Sequence, residues 1–267
     1  MGLPDFATPA CFVSTHLDDA VMSCGHLIAQ TADVTIMTIF AGAPDANFGG
    51  WNCATTGQHN ARGALGVRRA EDIAAAKVLN STAVHLDLWE SEFFGPQNIS
   101  SVVALLGATI EAIEPASVFL PVGLHHSDHI AVNVAGMELV NLGLPAVDWF
   151  AYLDVPYNLA FQHEVEPAVA RVAASARIEE LEPVEPVGHR RRHLRRHVSE
   201  GPTAHARRTH PARRSARRGR VPTATRTTLA RRTARVRESA RRRRRLLANW
   251  SQGRVAGTVI RWLPPRR

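Results

Sequence analysis

Short apolar runs alternate with longer amphipathic ones from the N-terminus to about residue 160, a pattern that predicts βα units around a mostly parallel sheet. Residues 10–15 (ACFVST) predict a first strand, 20–30 its helix, and the β-branched run 34–40 a second strand. Leu65, Ile73, Ala76 and Leu79 stand near helical spacing and predict a long helix over 62–79. Strands follow at 83–88, 116–121 and 147–153, separated by helices at 100–113 and 130–142. A further helix is expected within 164–182, broken by Pro183 and Pro186. Residues 42–60 are rich in Gly, Asn and Thr, with Phe48 and Trp51 as the large apolar groups; a loop of that length after a strand's carboxyl end predicts a binding or lid element. The expected class is therefore α/β, with helices on both faces of the sheet.

Charge divides the chain in two. Residues 1–188 hold 22 acidic and six basic residues, a net of −16, whereas 189–267 hold 26 Arg against Glu200 and Glu238, a net of +24. The overall +8 describes neither part. The expected organisation is one catalytic-type domain over 1–188 and an Arg-rich low-complexity tail over 189–267, with a basic helix near 229–250. A composition change this abrupt is also what a shifted reading frame in a GC-rich gene produces, and translating the other two frames separates that origin from a native disordered extension. The tail predicts salt-sensitive, sequence-independent attraction to polyanions, without a zinc-finger or helix-turn-helix pattern that would make nucleic acid a specific partner. Cys11, Cys24 and Cys53 lack C-x-x-C spacing and read as reduced, packed side chains. No basic leader followed by an apolar stretch and no span-length apolar run is present, so a cytoplasmic protein without a membrane span is expected.

Two polar clusters lie where a predicted strand gives way to a helix: His16-Leu17-Asp18-Asp19, and His125-His126-Ser127-Asp128-His129. In open parallel sheets ligands bind outside the carboxyl ends of the strands, and both clusters fall there. His16 and Asp19, three residues apart at a turn, are spaced to face one ion, with Asp18 left free to take a proton. The second cluster supplies a third ligand from one imidazole, while the other imidazole stays available for proton donation or oxyanion stabilisation. Which imidazole of the second cluster does which is open at this point. A helix cap with a hydrogen-bonded histidine is the ordinary reading of either cluster alone. Two at neighbouring strand ends argue against coincidence.

Ser14 through Ala20, Arg68-Arg69-Ala70-Glu71 with the helix to Leu79, Pro121 through His129, and Tyr152 through Tyr157 together resemble the PIG-L/LmbE-like family of zinc-dependent sugar N-deacetylases, over about residues 8–160. The branch most similar is that of the glycopeptide-antibiotic deacetylases; Leu17 and Ala20 stand where the family more often has Pro and Glu. The resemblance implies a Rossmann-like fold and Zn2+ on His16, Asp19 and His129. It also implies Asp18 as general base, His126 as general acid or oxyanion stabiliser, and Asp128 as the group orienting His126. The implied reaction is removal of an N-acetyl group from an amino sugar or glycoconjugate by metal-activated water.

Arg68 and Trp51 are the candidate substrate contacts, with a surface Arg68–Glu71 ion pair as the alternative for the former. Phe48 and Trp89 are weaker aromatic candidates. His59, His85 and His163 have no predicted partner, and His26 is expected to pack. A different class of function, a non-catalytic polyanion-binding protein with a degenerate domain, would be marked by zinc-free protein retained on nucleic acid at low salt. A dinucleotide-binding oxidoreductase is disfavoured, since no G-x-G-x-x-G follows the first strand.

Overall fold

The computed structural model describes residues 6–44, 51–143, 147–175, 181–184 and 259–262. Five strands make the expected parallel core: β1 (Ala10–Ser14), β2 (Val34–Thr38), β3 (Thr82–His85), β4 (Ser117–Pro121) and β5 (Asp148–Tyr152). Two more, β6 (Leu181–Val184) and β7 (Val259–Trp262), extend one edge in antiparallel fashion, giving the order β3-β2-β1-β4-β5-β7-β6. The helices are α1 (Asp19–Ile28), α2 (Trp51–Thr56), α3 (Ala61–Val78), α4 (Ser91–Phe94), α5 (Ile99–Ile113), α6 (Ser127–Leu142), α7 (Tyr157–Ala160) and α8 (Gln162–Ser175). Among the described residues no helix is long and apolar enough to cross a membrane.

Burial on both sides explains why the central strands read as apolar runs rather than as alternating ones. On one face, Phe12, Phe119 and Phe150 from three adjacent strands stack at ring separations of 4.1 and 4.6 Å, under Ala20, Cys24 and Ile28 of α1. On the other, Val13, Val118 and Leu120 pack with Leu106 and Ile110 of α5 and with Val132, Ala135 and Leu139 of α6. Helix starts follow the expected chemistry: Asn60 caps α3 by accepting from the Gly63 N–H at 2.9 Å, and Asn98 caps α5 from Ser101.

The strand order reverses direction between β1 and β4, which makes that seam the switch point of the sheet. Their paired register stops at Phe12↔Phe119, whereas β4 and β5 stay paired as far as Pro121↔Tyr152. Beyond Phe12 the seam is opened, and the Tyr152 hydroxyl reaches across from β5 to donate to the Val13 carbonyl at 2.7 Å.

Several elements differ from expectation, among them the short helices α4 and α7, which the pattern does not predict. Helix α2 occupies part of the predicted loop, in a stretch without Gly or Pro between Gly50 and Gly57. Helix α6 begins at Ser127 rather than residue 130, because His126 serves as its N-cap. Residues 181–184 form β6 instead of ending a helix; Pro183 is tolerated there because β6 pairs on one side only, with β7. Finally β7, the run Val-Ile-Arg-Trp of high β-propensity, comes from the segment assigned to the tail. The other tail residues, including the expected helix near 229–250, lie outside the described ones, as does Phe48.

Candidate metal centre

The turn from β1 into α1 is tied together by Ser14, whose hydroxyl donates to the His16 carbonyl at 2.7 Å and accepts from the Ala20 N–H at 2.9 Å. Asp18, at φ 88°, takes a left-handed conformation uncommon outside glycine, which turns Asp19 back toward His16. The Asp19 Oδ2 accepts from the His16 backbone N–H at 2.8 Å and lies 3.5 Å from the His16 Nδ1. The second cluster has its own left-handed residue, His125 at φ 59°, just before the cap of α6. The early start of α6 places Asp128 and His129 in its first turn, both fully buried.

His129 Nδ1 and Asp154 Oδ1 are 2.6 Å apart, and Asp154 Oδ2 accepts from the Gly123 N–H at 3.0 Å. When the ring is neutral and Nδ1 donates to that carboxylate, Nε2 carries the lone pair. It is buried, 3.1 Å from Asp19 Oδ2, and has no hydrogen-bond partner. Ligand atoms of His16, Asp19 and His129 all lie within 4.8 Å of one another. Two imidazoles and one carboxylate, with an orphaned buried nitrogen among them, fit a catalytic-type zinc site with a position left open.

Electrostatics agree with a site built for a cation. Burial disfavours the imidazolium of His16, yet hydrogen bonds to Asp128 and Asp19 outweigh it and raise its pKa to about 10. For His129 burial is again opposed, by the Asp19 charge and the Asp154 bond, and the pKa rises to about 9. Burial would raise Asp19, but the two imidazoles hold it well below the usual carboxylate range. Asp128 is brought down to about 2, against burial, by His16, the Ser91 N–H and Gln97.

Asp18 sits at the rim, its side chain 55% exposed. Burial of its inner side pushes the carboxyl up, Arg68 pulls it back and Asp19 adds to the rise, leaving it at about 6. His126 Nδ1 accepts from the Asp128 backbone N–H at 3.2 Å, so its proton resides on Nε2. Its pKa is lowered by burial and by the neighbouring His16.

The expected site residues converge, with changes of partner. Asp128 reaches His16 Nε2 at 3.0 Å, whereas it is 3.9 Å from His126 Nδ1. Arg68 donates to the Leu17 carbonyl at 2.8 Å and to Asp18 Oδ2 at 3.0 Å, while Glu71 is exposed. Trp51 opens α2, but its side chain lies outside the described residues. Trp89 packs with Leu17, Leu65 and Phe93. His26 is exposed and bonds Gln30 rather than packing; His59 and His163 are exposed. His85 bonds the buried Asp72, which also accepts from the Asp18 N–H at 3.3 Å.

Asp154 lies in a segment that carries the resemblance but was given no role, although an acidic residue directly after a buried strand, at the mouth next to that of His126, was a usable signal. Tyr157, at the end of the same segment, was likewise given no role; its ring meets His129 edge-on at 4.8 Å.

Residues 11–140 match the family described as PIG-L: GlcNAc-PI de-N-acetylase. No curated protein matches the chain. Among solved structures, the zinc inhibited form of teicoplanin deacetylase Orf2 is similar at 24% identity and a TM-score of 0.50, over 56% of this chain and 69% of that one. The A40926 pseudoaglycone deacetylase Dbv21 is similar at 24% identity and a TM-score of 0.51, over 66% of this chain and 74% of that one. These likenesses concern the fold. Residues 11–140, which carry both polar clusters at the β1–β4 seam, are thus similar to the PIG-L family.

Proposed function

We propose that this protein is a zinc-dependent N-deacetylase that removes the acetyl group from an acetylated amino sugar or glycoconjugate. The observation that carries the reading is the convergence of His16, Asp19 and His129 around the orphaned Nε2 of His129. Those three would hold the ion, with Asp154 orienting His129 and Asp128 orienting His16 through their other ring nitrogens. A bound zinc would polarise the acetamide carbonyl and lower the pKa of water beside it.

Asp18 is the base of this mechanism. Its carboxylate takes a proton from the water that adds to the acetyl carbon, and Arg68 together with the Asp72 carboxylate holds the turn that presents it. His126 stabilises the oxyanion through its Nε2–H and relays to the departing nitrogen the proton that Asp18 took from water, releasing amine and acetate. Arg68 therefore acts as a positioning residue, and Trp51 is the aromatic proposed to stack on a sugar ring. The names of the similar solved structures, deacetylases of teicoplanin and of A40926 pseudoaglycone, support a glycoconjugate over a free sugar. The polyanion-binding alternative depends on a segment outside the described residues, and no described residue favours it.

The test is acetate release from a panel of N-acetylglucosamine conjugates, with and without a chelator and with metal analysis. About one zinc per chain and chelator-sensitive acetate release are expected. Zinc-free protein with no release from any conjugate, even after zinc is added, would reject the proposal.

A further inference from the structure

Helix α3 grips the turn that carries Asp18 with two side chains one helical turn apart. Arg68 donates to the Leu17 carbonyl and to the Asp18 carboxylate, and Asp72 Oδ1 accepts from the Asp18 N–H at 3.3 Å. The φ of 88° at Asp18 is a conformation that a residue with a side chain keeps only where its surroundings fix it. Asp72 is itself buried, its side chain 2% exposed, and its second oxygen, Oδ2, accepts from His85 Nε2 at 2.8 Å. A carboxylate shut away from water needs a partner on each oxygen. His85 closes β3, an edge strand of the sheet, where the Thr38↔His85 pairing and the bond from the Leu86 N–H to the Thr38 carbonyl hold its backbone. The contacts therefore run His85–Asp72–Asp18, from the sheet edge through α3 to the β1–α1 turn.

We infer that His85 is a positioning residue for the proposed base, acting on Asp18 through Asp72, an inference that rests on the deacetylase reading above. His85 sets the rotation of the Asp72 carboxylate. With Oδ2 held, Oδ1 stays aimed at the Asp18 N–H, and the left-handed peptide keeps the Asp18 side chain turned toward the reacting water. The 3.3 Å bond lies at the long end of the amide–oxygen range, so it is the contact that a freed carboxylate gives up first. Without His85, Asp72 Oδ2 is left buried and short of a partner, and the carboxylate swings to satisfy it. Arg68 still holds the Leu17 carbonyl and the Asp18 carboxylate, so the turn and the metal ligands survive while the Asp18 backbone gains freedom. A displacement well under the size of an atom at a reacting group is enough to slow the chemical step.

The test uses the full-length, zinc-loaded chain and the N-acetylglucosamine conjugate that wild type turns over best. His85→Leu is expected to lower kcat about 10- to 100-fold with KM and zinc content unchanged, and to quicken hydrogen exchange at the Asp18 amide, followed by NMR with and without zinc. His85→Gln, whose amide nitrogen falls where Nε2 stands, should restore both readouts to near wild type. The deciding comparison is made in an Asp18→Asn background, where the backbone N–H remains and the base is gone. There His85→Leu should cause no further loss of rate. Equal losses in the two backgrounds would mark a role in stability alone and overturn the inference, as would wild-type kcat or unchanged amide exchange in His85→Leu. If His85→Leu does not fold, as judged by circular dichroism, His85→Asn, too short to reach Asp72, carries the same comparisons. Those outcomes leave the deacetylase reading standing; wild type that releases no acetate from any conjugate overturns that reading and this inference together.

Discussion

Asp18 and Asp154 are both acidic, yet their surroundings give them opposite work. Asp18 is half exposed at a rim and raised to about 6, a value suited to accepting a proton near neutrality. Asp18→Ala is expected to lower turnover by about 10²–10⁴-fold while zinc content stays unchanged, which parallel rate and metal measurements would check. Asp154 is fully buried and spends both oxygens on His129 and Gly123. Asp154→Asn is expected to weaken zinc binding about 10- to 100-fold, read by competition with a chromophoric chelator; unchanged affinity would remove Asp154 from the centre. The histidines add a pH dependence with a definite sign. In the metal-free protein His16 and His129 hold protons up to about 10 and about 9, above the ordinary histidine value near 6.5. Their stabilising contribution is thus complete below that ordinary value and is lost as pH rises through 9 and 10. Thermal unfolding of the stripped protein should show the melting temperature falling over that upper range, and His129→Gln should flatten the fall. Zinc competes with the same protons, so its affinity should climb over the same range.

At the scale of elements, what was legible followed from periodicity. Runs such as 10–13 and 118–121 are apolar without alternation because the parallel strands they form are covered on both faces, and that pattern marks where their carboxyl ends, and therefore the two clusters, lie. What was not legible depended on contacts distant in sequence. The start of α6 is set by the ring of His126 acting as a cap, a role histidine seldom takes, and the partners of Asp128 come from the β1–α1 turn, α4 and the loop before α5. β6 and β7 required a pairing across more than seventy residues, which local propensity does not specify. The loop after β4 carries the sharpest local constraint. Gly123 has φ +78°, and a Cβ there would come within 2.7 Å of the Asn133 Cβ and 2.9 Å of the His129 carbonyl. Gly123→Ala is expected to cost about 1–3 kcal/mol in denaturant unfolding and to weaken zinc binding together with it, since the same loop donates to Asp154.

For the whole molecule, an ion held by residues of the β1–α1 turn and α6, with the segment after β5 supplying the group behind His129, would tie together segments more than a hundred residues apart. Zinc at 100 times its Kd is expected to add about 2.7 kcal/mol to the folded state, seen as a rise in melting temperature that a chelator reverses. No zinc-dependent shift would mean that the ligand set does not close on a metal. The deepest support for that grip lies beneath it, where the Tyr152 phenol spans from β5 to the Val13 carbonyl. A sheet that zipped shut along β1 and β4 would satisfy every amide in the ladder and leave no crevice for chemistry. Here a side chain fills in for the missing rung, so the strands diverge without stranding a carbonyl. Tyr152→Phe removes the rung and leaves that oxygen dry and unpaired, at a cost of about 1–3 kcal/mol. The tyrosine works as a keystone between β5 and β1, and the proposed metal seat rests on a hydroxyl buried beneath it.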